Sequence, residues 1–241
     1  MVSDLIAGAP PPSGSCPKAV IVPHAGYIYS GPIAASAYAL LAPFAAQIAR
    51  VVLIGPAHRA YVEGLASPDA TSLETPLGDV DVDVDALAIA PGIHADRAAH
   101  AREHSLEVQL PFLRKVVPLA KVVPLVVGRA APEVVGRVIE ALWGGPETVI
   151  VISSDLSHYL PYELGRRADA ATAARVVALS ATPLSTEDAC GAAGINGLLW
   201  VARRRGLSIE LVDLRSSGDT AGSRGEVVGY GAFAAYGEAR S

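Results

Sequence analysis

The stretch "AVIVPHAGYIYSGPIAASAYALL", residues 19–41, decides how the fold is read. It opens with four apolar β-formers, stops at Pro23-His24, turns through Gly26, and runs on as small residues of helical character. A short, wholly apolar run bounded by turn residues is the mark of a strand buried on both faces of a parallel sheet, and a covering helix is its usual sequel. Four more runs repeat the theme: "RVVLIG" (50–55), "KVVPLVVG" (121–128), "TVIVISS" (148–154) and "SIELVDL" (208–214). Helix candidates fall around and between them at 32–48, 105–117, 132–143, 163–180 and 186–205. This alternation predicts an α/β protein, one sheet with helices on both faces.

Two stretches depart from the pattern. In "PLGDVDVDVDAL" (76–87) valines alternate with aspartates, which reads as an edge strand whose wet face discourages edge pairing. The closing "GEVVGYGAFAAYG" (225–237) is glycine-spaced and strand-like. Residues 19–49 contain no Asp, Glu, Lys or Arg, yet Pro23, Gly26, Pro32 and Pro43 interrupt the window, so a buried strand, turn and helix account for it better than a membrane span.

The 241 residues suit one domain, 1–241, with residues 1–17 as a flexible Pro/Ser/Gly-rich lead-in. Asp4 and the absence of a basic, apolar leader argue against a signal peptide, and a cytoplasmic location with Cys16 and Cys190 reduced is expected. A net charge of −5 without any basic stripe excludes nucleic acid as the natural partner. Hydrophobic residues make up 51% and charged ones 18%, a lean surface that predicts a homo-oligomer.

In open α/β sheets the carboxyl ends of the strands form the ligand crevice. His24 follows "AVIVP", His58 ends "VVLIGPAH", and His158 lies with Asp155 in "VIVISSDLSHY". Three histidines at equivalent strand ends point to a shared site, and a metal, held by neutral imidazole, is the usual reason. In "AREHSLEVQLPFL" (101–113) Ser105 caps a helix with Leu106, Leu110 and Leu113 inward, leaving Glu103 and His104 before it, as capping groups or as part of the site. His94 and His100 read as surface residues. Cys190, in "TEDACGAAGINGLLWVA" (186–202), is either apolar filler or a thiolate favoured near a helix N-terminus. No Walker A loop, dinucleotide loop or G-x-S-x-G elbow is present, which sets aside nucleotide binding and serine hydrolysis.

The ordered blocks "PHAGYIYSG" (23–31), "LIGPAHR" (53–59), "EHSLEVQLPFL" (103–113), "SSDLSHY" (153–159), "CGAAGINGLL" (190–199) and "SGDTAGSRGEVVGYGAFAAY" (217–236) resemble the Memo family, whose prokaryotic members are named protein B of the AmmeMemoRadiSam system. That family is similar in fold to the class III extradiol dioxygenases. The resemblance implies a three-layer α/β/α sandwich around a central, mostly parallel or mixed sheet. It implies His24, His58 and Cys190 as metal ligands, iron (Fe2+) first and copper second. Asp155 and His158 would line the pocket as catalytic groups, His158 as general acid/base because imidazole titrates near neutrality. Tyr27, Glu103 and His104 would form the wall against a substrate. Ring-cleaving relatives use two histidines and a carboxylate, and a cysteine in the third place is a departure that puts dioxygenase chemistry in doubt. The implied partners are an unknown small molecule or peptide, with AMMECR1-like and radical-SAM proteins in a shared pathway. The competing reading is a non-catalytic metal- or peptide-binding module acting through such partners.

Overall fold

Four of the five apolar runs become the centre of one sheet in the computed structural model, which describes residues 1–237, while "SIELVDL" forms an antiparallel edge strand with several exposed residues. In chain order, α1 (Val2–Ala7) precedes β1 (Ala19–Val22) and α2 (Tyr27–Tyr38), which tightens into a 3₁₀ helix at Ala39–Phe44 before β2 (Arg50–Pro56). Short elements follow: β3 (Leu65–Ser67), β4 (Ser72–Leu73), β5 (Val80–Asp81), α3 (Val84–Ile89), β6 (Ile93–Ala95), α4 (Arg97–His100), α5 (His104–Glu107) and α6 (Leu110–Val116). The rest is β7 (Lys121–Val127), α7 (Pro132–Ala141), β8 (Thr148–Ser153), β9 (His158–Leu160), α8 (Tyr162–Val177), α9 (Ala192–Arg205), β10 (Ser208–Ser216) and β11 (Val227–Tyr236). Among the described residues no helix is long and apolar enough to cross a membrane.

The sheet order is β10-β11-β1-β8-β2-β7-β3-β6, with β9 paired on β11. Its middle, β1-β8-β2-β7, is parallel, in the register Ile21↔Ile152, Leu53↔Val151 and Leu53↔Pro124. Antiparallel pairs flank it, so the sheet is mixed. Pro124 is tolerated because it falls between the Val82–Val122 bridge and the β3 pairing, where β7 has no partner on its outer side.

Both faces are covered, which is why these strands are apolar throughout rather than alternating. Ile21, Val52, Ile54, Ile150 and Ile152 pack with residues of α7, α8 and α9; Val20, Val22, Val51, Leu53 and Val151 pack with α1, α2 and α6. The crossover from β1 to β2 runs through α2 on one face, and the return from β7 to β8 runs through α7 on the other, as right-handed connections require when direction reverses. β8 is thereby inserted between β1 and β2, and the chain leaves these neighbours over opposite faces. That divergence opens a crevice at their carboxyl ends.

Several expectations are corrected. Residues 2–7, read as flexible, form α1, which buries Val2 against the second core. The aspartate-valine stretch is a strand only at Val80–Asp81; Asp83 then accepts the Ala86 N–H (3.0 Å) and pairs with Arg50 (2.7 Å), so it caps α3 and ends the alternation. The helix expected at 105–117 is broken into α5 and α6, with Pro111 in the first turn of the second. The helix expected from 32 starts at Tyr27, and that expected from 186 starts at Ala192. His94 is exposed as expected, whereas His100 is partly buried with Nε2 bonded to the Ala66 carbonyl at 2.9 Å.

Candidate metal centre

His24 lies just beyond β1, where Pro23 ends the strand, and it is 2% exposed. Its backbone N–H donates to Asp155 Oδ1 at 2.7 Å; Asp155 lies just beyond β8, so neighbouring strands carry the two residues side by side. The ring contacts Ser153 Oγ through Nδ1 (2.8 Å) and Cys190 Sγ through Nε2 (3.3 Å). Burial lowers its pKa to about 4, with the Asp155 carboxylate only partly opposing the shift, so the imidazole is neutral near pH 7. That is the form that ligates a cation.

His58 stands the same distance beyond β2. Its backbone N–H donates to Glu103 Oε2 and its Nδ1 lies 2.9 Å from Oε1, which also accepts the Ser105 N–H at 2.9 Å and so caps α5. Burial alone would raise the Glu103 carboxyl, but the His58 ring and the Ser105 and His58 amides outweigh it and hold it down to about 2. Facing a carboxylate, Nδ1 of His58 carries the proton and Nε2 is left with its lone pair. Gly55 makes this approach possible: a Cβ there would sit 2.8 Å from Leu106 Cδ2 and from Ser105 Oγ, so only glycine lets α5 lie so close to β2.

Cys190 arrives on a tethered loop. Asn196 clasps Leu184 through both its N–H (2.8 Å) and its carbonyl (2.9 Å), and Asp188 pairs with Arg175 at 3.1 Å. The Asp155 N–H donates to Sγ at 3.3 Å. Burial first, and the Asp155 carboxylate second, push the thiol up to about 12. The expected helix-N-terminus stabilisation of a thiolate therefore does not hold in the free protein. α9 begins only at Ala192, with Gly191 as its cap, and what the sulfur gains there is less than what burial costs it.

These groups face a cleft of about 930 Å3, lined among others by His24, His58, His104, Asp155, His158 and Cys190. The three strand-end histidines thus share one edge and one cleft. His104 lies beside them, its ring centroid 5.1 Å from that of His58 and 5.6 Å from that of His24. Two wall candidates sit elsewhere. Glu103 lies behind His58 and His104, 3.4 Å from His104 Nδ1, and holds rings rather than facing the cleft. Tyr27 packs against Phe112 and donates its hydroxyl to the Val108 carbonyl at 2.8 Å, outside the cleft lining. His158, at the start of β9, is not hydrogen-bonded to Asp155; the buried carboxylate near it is Asp169, which accepts the Ser157 N–H at 3.0 Å.

Arg59 and Tyr159, not singled out by sequence reasoning, also line the cleft, each next in sequence to a cleft histidine, and Tyr159 holds a φ of 57°, a strained value for so bulky a side chain. The chain-neighbour position was the available signal. Ser153 and Gln109 carried none, being polar residues inside otherwise apolar patterns, and Asp169 carried none because it sits among arginines and alanines in a helix that reads as solvated.

One donor atom each from His24, His58 and Cys190 lie within 4.8 Å of one another. Ligands about 2.0–2.3 Å from a common ion stand somewhat closer together than that limit, and the His24 Nε2–Cys190 Sγ pair at 3.3 Å already does. Two imidazole nitrogens and one sulfur suit a first-row transition metal and not calcium or magnesium, which take oxygen ligands. An overlapping group of His58, Glu103 and His104 also converges, but the Glu103 oxygens are already engaged by N–H donors.

A family model described as Memo-like protein matches residues 1–234. A "MEMO1 family protein" of Archaeoglobus fulgidus is 36% identical over 225 residues, 88% of this chain and 84% of the relative. Proteins of the same printed name from Aquifex aeolicus (35% over 250 residues, 94% and 89% of the two chains) and Caldivirga maquilingensis (34% over 235 residues, 90% and 82%) are similar over nearly the whole length.

Proposed function

The chain belongs to the Memo family, and from that premise we propose that it is a metal-dependent redox protein holding iron, or in second place copper, between His24, His58 and Cys190 and acting on a small organic molecule in the cleft. The observation that carries this reading is the convergence of the two imidazoles and the thiol, donor atoms within 4.8 Å, at the floor of a cleft of about 930 Å3. A bound ion of this kind supplies one-electron chemistry and a Lewis-acid contact for a substrate oxygen.

The remaining steps belong to the chain. His24, neutral because it is buried, offers a lone pair without first losing a proton. Cys190 must surrender its proton to serve as a ligand, and a thiolate then gives the ion more charge than a carboxylate would. His158 lines the cleft with no side-chain hydrogen bond to the described residues, which leaves its ring free to accept a proton from a substrate hydroxyl and return it. Asp155 spends one oxygen on the His24 backbone and turns toward the cleft, where it orients the substrate.

Anaerobic loading with Fe2+ followed by oxygen-uptake measurements against catechols and other small phenols tests this. Uptake that requires both the metal and one class of phenol supports it. A stoichiometric, tightly held metal with no uptake for any substrate leaves the second reading, a binding module acting through partners such as AMMECR1-like and radical-SAM proteins. That reading draws on the exposed Tyr61 and Tyr159, 78% and 71% accessible, the latter at the cleft itself.

A further inference from the structure

Behind His24 lies a sealed chain of polar groups that the metal reading does not use. Gln109, at the junction of α5 and α6, has its Nε2 2.9 Å from the Pro23 carbonyl and 2.9 Å from Ser153 Oγ, and its Oε1 accepts the Tyr38 hydroxyl at 3.0 Å. Ser153 Oγ lies 2.6 Å from the Ser105 carbonyl and 2.8 Å from His24 Nδ1. Gln109, Ser153, Ser105 and Tyr38 are all 0% exposed. Cut off from bulk solvent, these groups must place their protons by the partners they offer one another.

The placement has one solution. A carbonyl can only accept, so the Gln109 end at Pro23 is the NH2 group and the opposite end is the carbonyl facing Tyr38. The Ser105 carbonyl likewise claims the single hydroxyl proton of Ser153. Ser153 Oγ then has only lone pairs for its two other neighbours, and both must donate: Gln109 through Nε2 and His24 through Nδ1. A neutral imidazole carries one ring proton. With that proton on Nδ1, Nε2 is bare, and Nε2 is the atom beside Cys190 Sγ.

We infer that Ser153 and Gln109 are positioning residues that lock His24 in the Nδ1–H tautomer and so present its Nε2 lone pair to the cation, an inference that rests on the metal-centre reading above. The opposite tautomer would set two lone pairs against each other across 2.8 Å, or force Ser153 off the Ser105 carbonyl and leave that carbonyl buried without a partner. His58 is held in the equivalent state by the Glu103 carboxylate. The two imidazoles therefore reach the same orientation by different means, a neutral relay for the buried ring and a charged partner for the one nearer solvent.

Long-range 1H–15N correlation spectra of the metal-free, 15N-labelled protein at pH 8 read the tautomer directly. The wild type should give a protonated-type Nδ1 and a bare-type Nε2 at His24. Ser153→Ala should shift His24 toward the Nε2–H form and weaken Zn2+ binding about 10- to 100-fold, while Ser153→Thr, which keeps the hydroxyl, should restore both. A wild-type His24 in the Nε2–H form overturns the inference, as does a folded Ser153→Ala protein whose tautomer and Zn2+ affinity are unchanged. If Ser153→Ala does not fold, the wild-type spectrum and the threonine variant decide alone. Tight Zn2+ binding with the reversed tautomer refutes the lock and spares the metal centre. The predicted tautomer without any Zn2+ binding upholds the lock, refutes the metal centre and removes the cation from the inference.

Discussion

Cys190 offers the sharpest test of the metal centre, because its thiol is held up to about 12 in the free protein. At pH 7.5 only ~1 molecule in 10^4 to 10^5 then carries a thiolate, so a cation that uses the sulfur must displace a proton to bind. Its affinity should rise tenfold for each pH unit, or about 30-fold between pH 7.5 and 9. His24, lowered to about 4, is neutral throughout that window and contributes no slope there. Co2+ titrated anaerobically against a competing chelator reports both quantities at once: affinity from the competition, and sulfur ligation from the thiolate-to-metal charge-transfer band. Cys190→Ser should lose the band and flatten the pH dependence. A wild-type affinity that stays level from pH 7.5 to 9, or a serine variant that keeps the slope, would refute the reasoning. If Cys190 is core filler instead, the serine change costs about 1–3 kcal/mol of stability and leaves metal content intact.

His58→Ala should lose the cation yet melt cooperatively, because both cores lie elsewhere on the sheet; full metal occupancy in that variant would show that His58 is not a ligand. His24 is depressed from 6.5 to about 4, so metal-free protein holds its full contribution above pH 6.5 and loses it as pH falls through 4. The shift corresponds to ~3 kcal/mol, and urea unfolding from pH 7.5 down to 4 should show His24→Gln losing less stability than wild type by roughly that amount; equal losses would contradict it. Gly191→Ala places a Cβ 2.6 Å from the Ser153 carbonyl oxygen and the Ser154 Cβ, which should cost about 1–3 kcal/mol and lower cation affinity by moving Cys190. An unchanged melting temperature would mean the loop gives way freely. Light scattering should find a particle heavier than the 24.7 kDa chain, and a monomer mass would refute the oligomer inferred from the sparse surface charge.

The parallel centre was legible because β1, β2 and β8 are buried on both faces and so contain almost nothing but apolar residues. His24 and His58 stood out for the same reason, each being the first strongly polar side chain past such a run. Cys190 did not. Ligands drawn from separate segments leave no spacing to read, and only the family resemblance promoted it. Its chemistry was misjudged because position near a helix start is visible in sequence and burial is not. β3 and β6 are too short to carry a period and exist through their pairing with each other and with β7. The aspartate-valine run misled for a different reason: Asp83 as a helix cap and Asp83 as the wet face of a strand obey the same alternation until the Ala86 N–H decides between them.

The insertion of β8 between β1 and β2 also bears on how the protein matures. His24 and His58 follow strands that do not pair with each other and are joined in the sheet only when β8 fits between them, and the third donor lies 166 residues beyond His24. During synthesis the amino-terminal half emerges with His24 and His58 and no framework to hold these two at the right distance. Closing so long a loop is slow relative to local helix formation, so the centre is among the last features to assemble. If the centre holds an ion as proposed, its full donor set would exist only once the chain is nearly whole, and a product stalled before Cys190 would lack the sulfur donor.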